Sequence, residues 1–217
     1  MKSSSALYQN GFPLREVVSE KIRSRILDGT YVPGTRLVER DLAAEFDVSR
    51  SPVREAIRLL NHEGLVESLA TRGIVVKKLT RKEVIEIFDL REALEGLAAR
   101  LAAERVADGA ISNLDEFVRR SHAAVSALDF DTAHAANAAF HDDLIAFSQN
   151  GNLQTMLTPL LGRLHWIFRQ VLDFQQVYRE HDDLAKAIAT GDPRKARRVA
   201  EKHVQSYRTR TLDYLFS

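Results

Sequence analysis

Apolar residues return every three or four positions from Leu14 onward. Val17, Val18, Ile22, Ile26 and Leu27 share one face, so the pattern predicts an amphipathic helix that Asp28-Gly29 closes. Pro33-Gly34 marks a turn. Leu42, Ala43 and Phe46 form the inward side of a short second helix over residues 39–46. Val53, Ile57 and Leu60 do the same for a third over residues 52–62. There Ser51 supplies cap chemistry and Pro52 sits in the first turn, where its missing N–H is harmless. The period then drops to two: residues 65–69 and 74–77 read as short strands, with Ala70-Thr71-Arg72-Gly73 as the turn between them. Three helices and a β-hairpin outline a winged helix-turn-helix over residues 14–79. Residues 1–13, polar and ending at Gly11-Phe12-Pro13, read as a flexible arm.

Thr80-Arg81-Lys82-Glu83 is a capping box and opens a second domain over residues 80–217. Val84, Ile87, Leu90, Leu94, Leu97 and Leu101 keep helical spacing. Further helices are expected over 110–128, 130–148, 151–173, 175–190 and 194–215. The fold class is therefore mainly α: a winged helix-turn-helix with a small hairpin wing, then an all-α bundle.

Composition narrows the class. The chain has 217 residues, 45% hydrophobic and 28% charged, as a water-soluble protein with two small cores would have. It has no apolar run long enough to span a bilayer, so no membrane partner is expected. Met1–Ser5 has no apolar core, so no secretory signal is expected. With no cysteine there are neither disulfides nor thiolate metal sites, and a cytoplasmic protein is the expectation. Net charge is only +1, with thirteen Lys/Arg against ten Asp/Glu in residues 1–78. A polyanion partner therefore depends on where the arginines sit rather than on their total.

They sit suggestively. Arg50 and Arg54 are four apart near the start of the third helix, flanked by Ser49 and Ser51. A helix N-terminus attracts phosphate, and arginine can grip a guanine edge with two parallel hydrogen bonds. Arg40, on the preceding helix, could fasten the backbone or reach a base. The run from Leu37 to Ile57, continued by Leu59-Leu60-Asn61-His62-Glu63-Gly64-Leu65-Val66 and Gly73, resembles the GntR superfamily of regulators. The resemblance implies contact with double-stranded DNA at Arg40, Ser49, Arg50, Ser51 and Arg54. It also implies that Arg72 and Gly73 approach the minor groove at the wing tip.

Of seven histidines, His62, His122, His134 and His165 have no partners at ligand spacing. His141 lies four residues after Asn137, hence on the same helical face. His181 and His203 stand eleven residues before and eleven after Asp192, in the turn between the last two helices. An antiparallel hairpin sets them at one height. Asn137, His141, His181 and His203 could then converge inside a bundle on a divalent transition metal (Zn, Ni, Mn or Fe), with positions left for water or an effector. Arg91-Glu92-Ala93-Leu94-Glu95, Asn137-Ala138-Ala139-Phe140-His141, Asn150-Gly151-Asn152 and the two late histidines are similar to the FadR-type (FCD) ligand-binding domain of that superfamily. Its first ligand is often aspartate, whereas Asn137 brings no charge. The resemblance implies a carboxylate effector at Arg91, although Arg91 could equally pair with Glu95 four residues on. Arg163 and Arg169 are further candidates.

The expectation is a metabolite-responsive regulator, not an enzyme: a repressor that binds an inverted-repeat operator as a homodimer and takes a small organic acid effector beside the metal. Two alternatives stay open. One is a metalloregulator that senses the metal itself. The other is a metal-dependent hydrolase, for which Asp142 and Asp143 are the nearest acids in sequence.

Overall fold

The computed structural model describes residues 8–9, 12–168 and 173–217. These fall into two compact units, one ending at Leu79 and the other starting at Thr80. The expected arm is described only at β1 (Tyr8–Gln9) and β2 (Phe12–Pro13), which pair antiparallel with Tyr8 opposite Pro13. The rest of it lies outside the described residues.

In the first unit α1 (Leu14–Leu27), α2 (Glu39–Glu45) and α3 (Arg50–His62) pack through Val18, Ile22, Leu42, Val53, Ile57 and Leu60. Arg23 of α1 reaches the C-cap of α3, donating to both carboxylate oxygens of Glu63 at 3.0 and 2.7 Å. The turn between α2 and α3 passes through Asp47 at φ 54°, a left-handed position that aspartate tolerates. The third helix starts two residues earlier than expected. Ser49, not Ser51, is the N-cap, and Pro52 is the third helical residue. Both placements leave Pro52 among the first-turn residues whose N–H has no intrahelical partner, so the sequence signal tolerates either.

The wing is β3 (Val66–Leu69) and β4 (Gly73–Val76), antiparallel with Val66 opposite Val76 and Leu69 opposite Gly73. The segment before α2 joins it, which the two-strand expectation did not include. Val76 N–H donates to Thr35 at 2.9 Å, Leu37 N–H donates to Ile74 at 2.9 Å, and Arg36 bridges Val75.

The second unit holds α4 (Arg81–Ala107), α5 (Leu114–Ser126), α6 (Phe130–Phe147), α7 (Gly151–Phe168), α8 (Phe174–Ala189) and α9 (Pro193–Phe216). The capping box forms: Thr80 Oγ1 accepts from Glu83 N–H, and Glu83 Oε2 accepts from Thr80 N–H at 2.8 Å. Residues 110–113 are not helical; Gly109 takes φ 92° and Asn113 starts α5 instead. The last part of the expected 151–173 helix, including Arg169, lies outside the described residues. Ala98, Ala99, Ala102 and Ala103 of α4 meet Ala196 and Ala200 of α9. Short side chains on both surfaces let the helix axes come close. A Cβ added at Gly96 would lie 3.2 Å from Glu201 Cγ, so glycine suits that approach.

The leucine stripe faces this core only in part: Leu94 and Leu97 pack against it. Phe88, Arg91, Glu95 and the alanines are buried, whereas Leu90 is 50% exposed and Leu94, Leu97 and Leu101 are half-buried. Among the described residues, no helix is long and apolar enough to cross a membrane.

Candidate functional site

The bundle brings together the three histidines that the sequence singled out. His141 comes from α6, His181 from α8 and His203 from α9, all buried. One ligand atom from each lies within 4.8 Å of the other two. The His181 and His203 ring centroids are 4.9 Å apart, the result of a hairpin that turns at Asp192, where the carboxylate accepts from Arg194 and Lys195 N–H. Phe140 stacks on His181 at 4.1 Å and fixes that ring's plane.

Among the described residues, the Nε2 atoms of His181 and His203 and Oδ1 of Asn137 are buried with no hydrogen-bond partner. An unpaired buried polar atom carries its full desolvation cost, and a shared cation relieves it. Burial, reinforced by His203 and His141, pushes the His181 imidazolium well below its ordinary range. Burial also lowers His203, against the opposing pull of Glu180. Neutral imidazoles are the form that binds a metal. The residues present thus fit a divalent transition metal.

Around the cage lies a ring of ion pairs. Arg91 Nε donates to Glu95 Oε1 at 2.6 Å, and both side chains are at most 2% exposed. The local pairing of Arg91 with Glu95 is therefore present. The guanidinium also lies over the rings of Phe88 and Tyr207, 5.0 and 6.0 Å from their centroids. Glu95 Oε2 stands 3.3 Å from His141 Nδ1. Burial raises the Glu95 carboxyl, but the charge of Arg91 and the contact with His141 outweigh it and hold the group well below the usual range. On the other side Glu180 Oε2 accepts from His203 Nδ1 at 3.0 Å and from Arg210 Nη2 at 2.9 Å. Glu180 escaped the sequence reading because four of its five donors come from α9; its own helix signals only Gln176. Buried Tyr207 is pushed up to about 12 by desolvation.

Asp142 and Asp143 do not join the cage cluster. They line a surface cleft of about 590 Å³ with Phe117, Gln154 and Thr158. Arg163 has a buried Nε with no hydrogen-bond partner among the described residues.

In the first unit Arg40, Ser49, Arg50, Ser51, Arg54, Arg72 and Gly73 are all exposed. Arg40 Nε donates to Asp41 at 2.9 Å. Arg54 is held side-on: Nε and Nη2 donate to the two oxygens of Glu39 at 3.0 and 2.8 Å. That hydrogen-bonded pairing raises Arg54 and lowers Glu39, on which Arg50 and Arg58 also act. Gly73 has φ 72°, and a Cβ there would lie 3.9 Å from the Arg36 guanidinium. Arg36 precedes the helix-turn-helix pair, so motif reading alone did not reach it.

Residues 14–76 match the gntR family of bacterial regulatory proteins, and residues 86–206 match the FCD domain. The chain is 30% identical to the HTH-type transcriptional regulator YdhC of Bacillus subtilis, over 90% of this chain and 88% of that one. It is 30% identical to the gluconate operon transcriptional repressor of Bacillus licheniformis, over 81% and 75% respectively. A solved structure, a transcriptional regulator from Rhodococcus sp. RHA1, superposes with a TM-score of 0.78 over 92% of this chain and 97% of that one, at 24% identity.

Proposed function

Since the chain belongs to the gntR family of bacterial transcription regulators and carries an FCD domain, we propose that it is a cytoplasmic, metabolite-responsive repressor that works as a homodimer on an inverted-repeat operator. In this reading an organic acid binds beside a divalent metal in the helical unit. The observation that carries the effector site is the cage of three buried histidines whose His181 and His203 Nε2 atoms have no hydrogen-bond partner. His141, His181, His203 and Asn137 would hold Zn, Ni, Mn or Fe, and the metal would offer open positions to a ligand. The ligand set contains no carboxylate, and in the surrounding ring Arg91 offsets Glu95 and Arg210 offsets Glu180. The cation's charge is thus available to an anion. Arg91, in that ring, is the proposed second contact for the acid's carboxylate. The related gluconate operon repressor puts sugar acids first among the candidates.

On the DNA side, Arg50 and Arg54 read base edges, with Arg40, Ser49 and Ser51 on neighbouring positions and Arg72 and Gly73 at the minor groove. One recognition helix reads few base pairs, so a two-fold dimer on an inverted repeat supplies specificity. Leu90, Leu94, Leu97 and Leu101 follow the 4-3-4 spacing of a helix-pairing seam, and Leu90 is 50% exposed, which supports α4 as part of the dimer contact. The effector acts by preferring one spacing of the two winged units over another.

Two experiments test this reading. Selection from randomised duplex DNA should return an inverted repeat. A panel of sugar acids, hydroxy acids, dicarboxylates and neutral sugars should then show operator release by acids alone, weakened by chelator. Release by chelator without any acid would favour metal sensing. Hits confined to neutral sugars, indifferent to chelator, would remove the metal-bound acid.

A further inference from the structure

Glu180 is surrounded by donors. Besides His203 Nδ1 and Arg210 Nη2, it accepts from Arg210 Nη1 at 3.0 Å, Ser206 Oγ at 2.6 Å and Gln176 Nε2 at 2.9 Å. Arg210 grips both of its oxygens, and Ser206 and Gln176 donate to Oε1, so every neighbour other than His203 is a donor. A carboxylate held in this way by a guanidinium accepts hydrogen bonds and donates none. The imidazole facing it must therefore carry its proton on Nδ1, which leaves the Nε2 lone pair directed away from Glu180. His203 Nε2 is the buried atom without a partner. His203 is 1% exposed, so water does not compete for either nitrogen.

We propose that Glu180 is the positioning residue of the metal centre, fixing His203 as an Nε2 donor and holding its ring toward His141 and His181. Ser206 and Arg210, about one and two turns beyond His203 along α9, hold Glu180 in turn. This rests on the metal reading above. A carboxylate that merely stapled α8 to α9 would have no need of a ring nitrogen; Arg210 and Ser206 already make that link.

The test uses full-length protein. Nitrogen-15 spectra of histidine-labelled, metal-free protein report the tautomer, with the His203 signals assigned by their loss in His203→Gln. Competition with a chromophoric chelator reports zinc affinity. His203 should carry its proton on Nδ1 in the wild type. In Glu180→Gln the side-chain amide can accept from Nδ1–H or donate to a bare Nδ1, so both tautomers should appear. Zinc affinity should fall about 10- to 100-fold, the usual loss when the partner of a ligating histidine is removed. A wild-type His203 protonated on Nε2 would overturn the proposal even if the variant failed to fold. So would a folded Glu180→Gln protein with unchanged tautomer and unchanged zinc affinity. If wild-type protein bound no zinc, the metal reading would fall, and the tautomer spectrum would still decide whether Glu180 orients His203.

Discussion

At the scale of single residues, Arg91 and Glu95 show how far spacing reaches. Four residues apart on one helix, their pairing could be read from sequence; their near-complete burial could not, because the leucines beside them suggested a different inner face. Removing one member of a buried pair leaves a lone charge, at a cost of about 3–5 kcal/mol, whereas removing both can be nearly neutral. Arg91→Met should therefore destabilise the helical unit by about that amount in urea denaturation, and Arg91→Met with Glu95→Gln should recover most of it. If Arg91→Met left stability untouched and abolished only the response to acids, the guanidinium would belong to the effector rather than to Glu95. The histidines were legible because the hairpin about Asp192 converts equal sequence distance into equal height. Glu180 was not, since its meaning depends on how α8 is rotated against α9.

At the scale of elements, α3 and its neighbour α2 decide what the arginines can do. The side-on grip of Glu39 on Arg54 takes Nε–H and one Nη2–H and leaves the far edge of the guanidinium for a base. Arg50→Ala and Arg54→Ala should each weaken operator binding by about 1–3 kcal/mol in fluorescence anisotropy while the helical content is unchanged. Glu39→Gln should act differently. It removes a negative charge, so binding to unrelated duplex should strengthen, while the orientation of Arg54 loosens and the preference for operator shrinks. Operator preference preserved in Glu39→Gln would mean that Arg54 needs no such guide. On α4 the lesson runs the other way. Periodicity correctly identified a long helix, but alanine is a weak hydrophobic signal, and an Ala-rich face against α9 takes the centre of the core while Leu94 and Leu97 pack at its margin. Leu90, left exposed, then has a use at a pairing seam. Leu90→Glu should convert a dimer to monomer in analytical ultracentrifugation, with the helical core intact because Leu90 is already half in water. A Leu90→Glu dimer as tight as wild type would place the contact elsewhere.

At the scale of the whole molecule, each unit has its own main hydrophobic core among the described residues, one built around Val18, Ile22, Ile57 and Leu60 and one around Ala98, Phe140, Leu144 and Leu184. The boundary at Thr80 was visible in sequence because the capping box marks it locally; the third extended segment of the wing was not, since residues 34–37 pair with strand residues forty positions away. Two cores permit two unfolding transitions. The candidate metal ligands all belong to the second core's unit, so a metal that binds only the folded state must stabilise that unit and leave the first unchanged. At one hundred times its dissociation constant such a ligand contributes about 2.7 kcal/mol, a rise on the order of 10 °C in midpoint for a unit of this size. Calorimetry of the full chain with zinc and then with chelator should therefore move one of two transitions, up with the metal and down without it. His141→Ala should abolish the movement. The winged unit's transition, in contrast, should respond to operator duplex and not to zinc. A single transition that moved as a whole would show the cores to be one cooperative system. A helical transition that ignored zinc would remove the metal while leaving the family assignment and the DNA-reading helix as they stand.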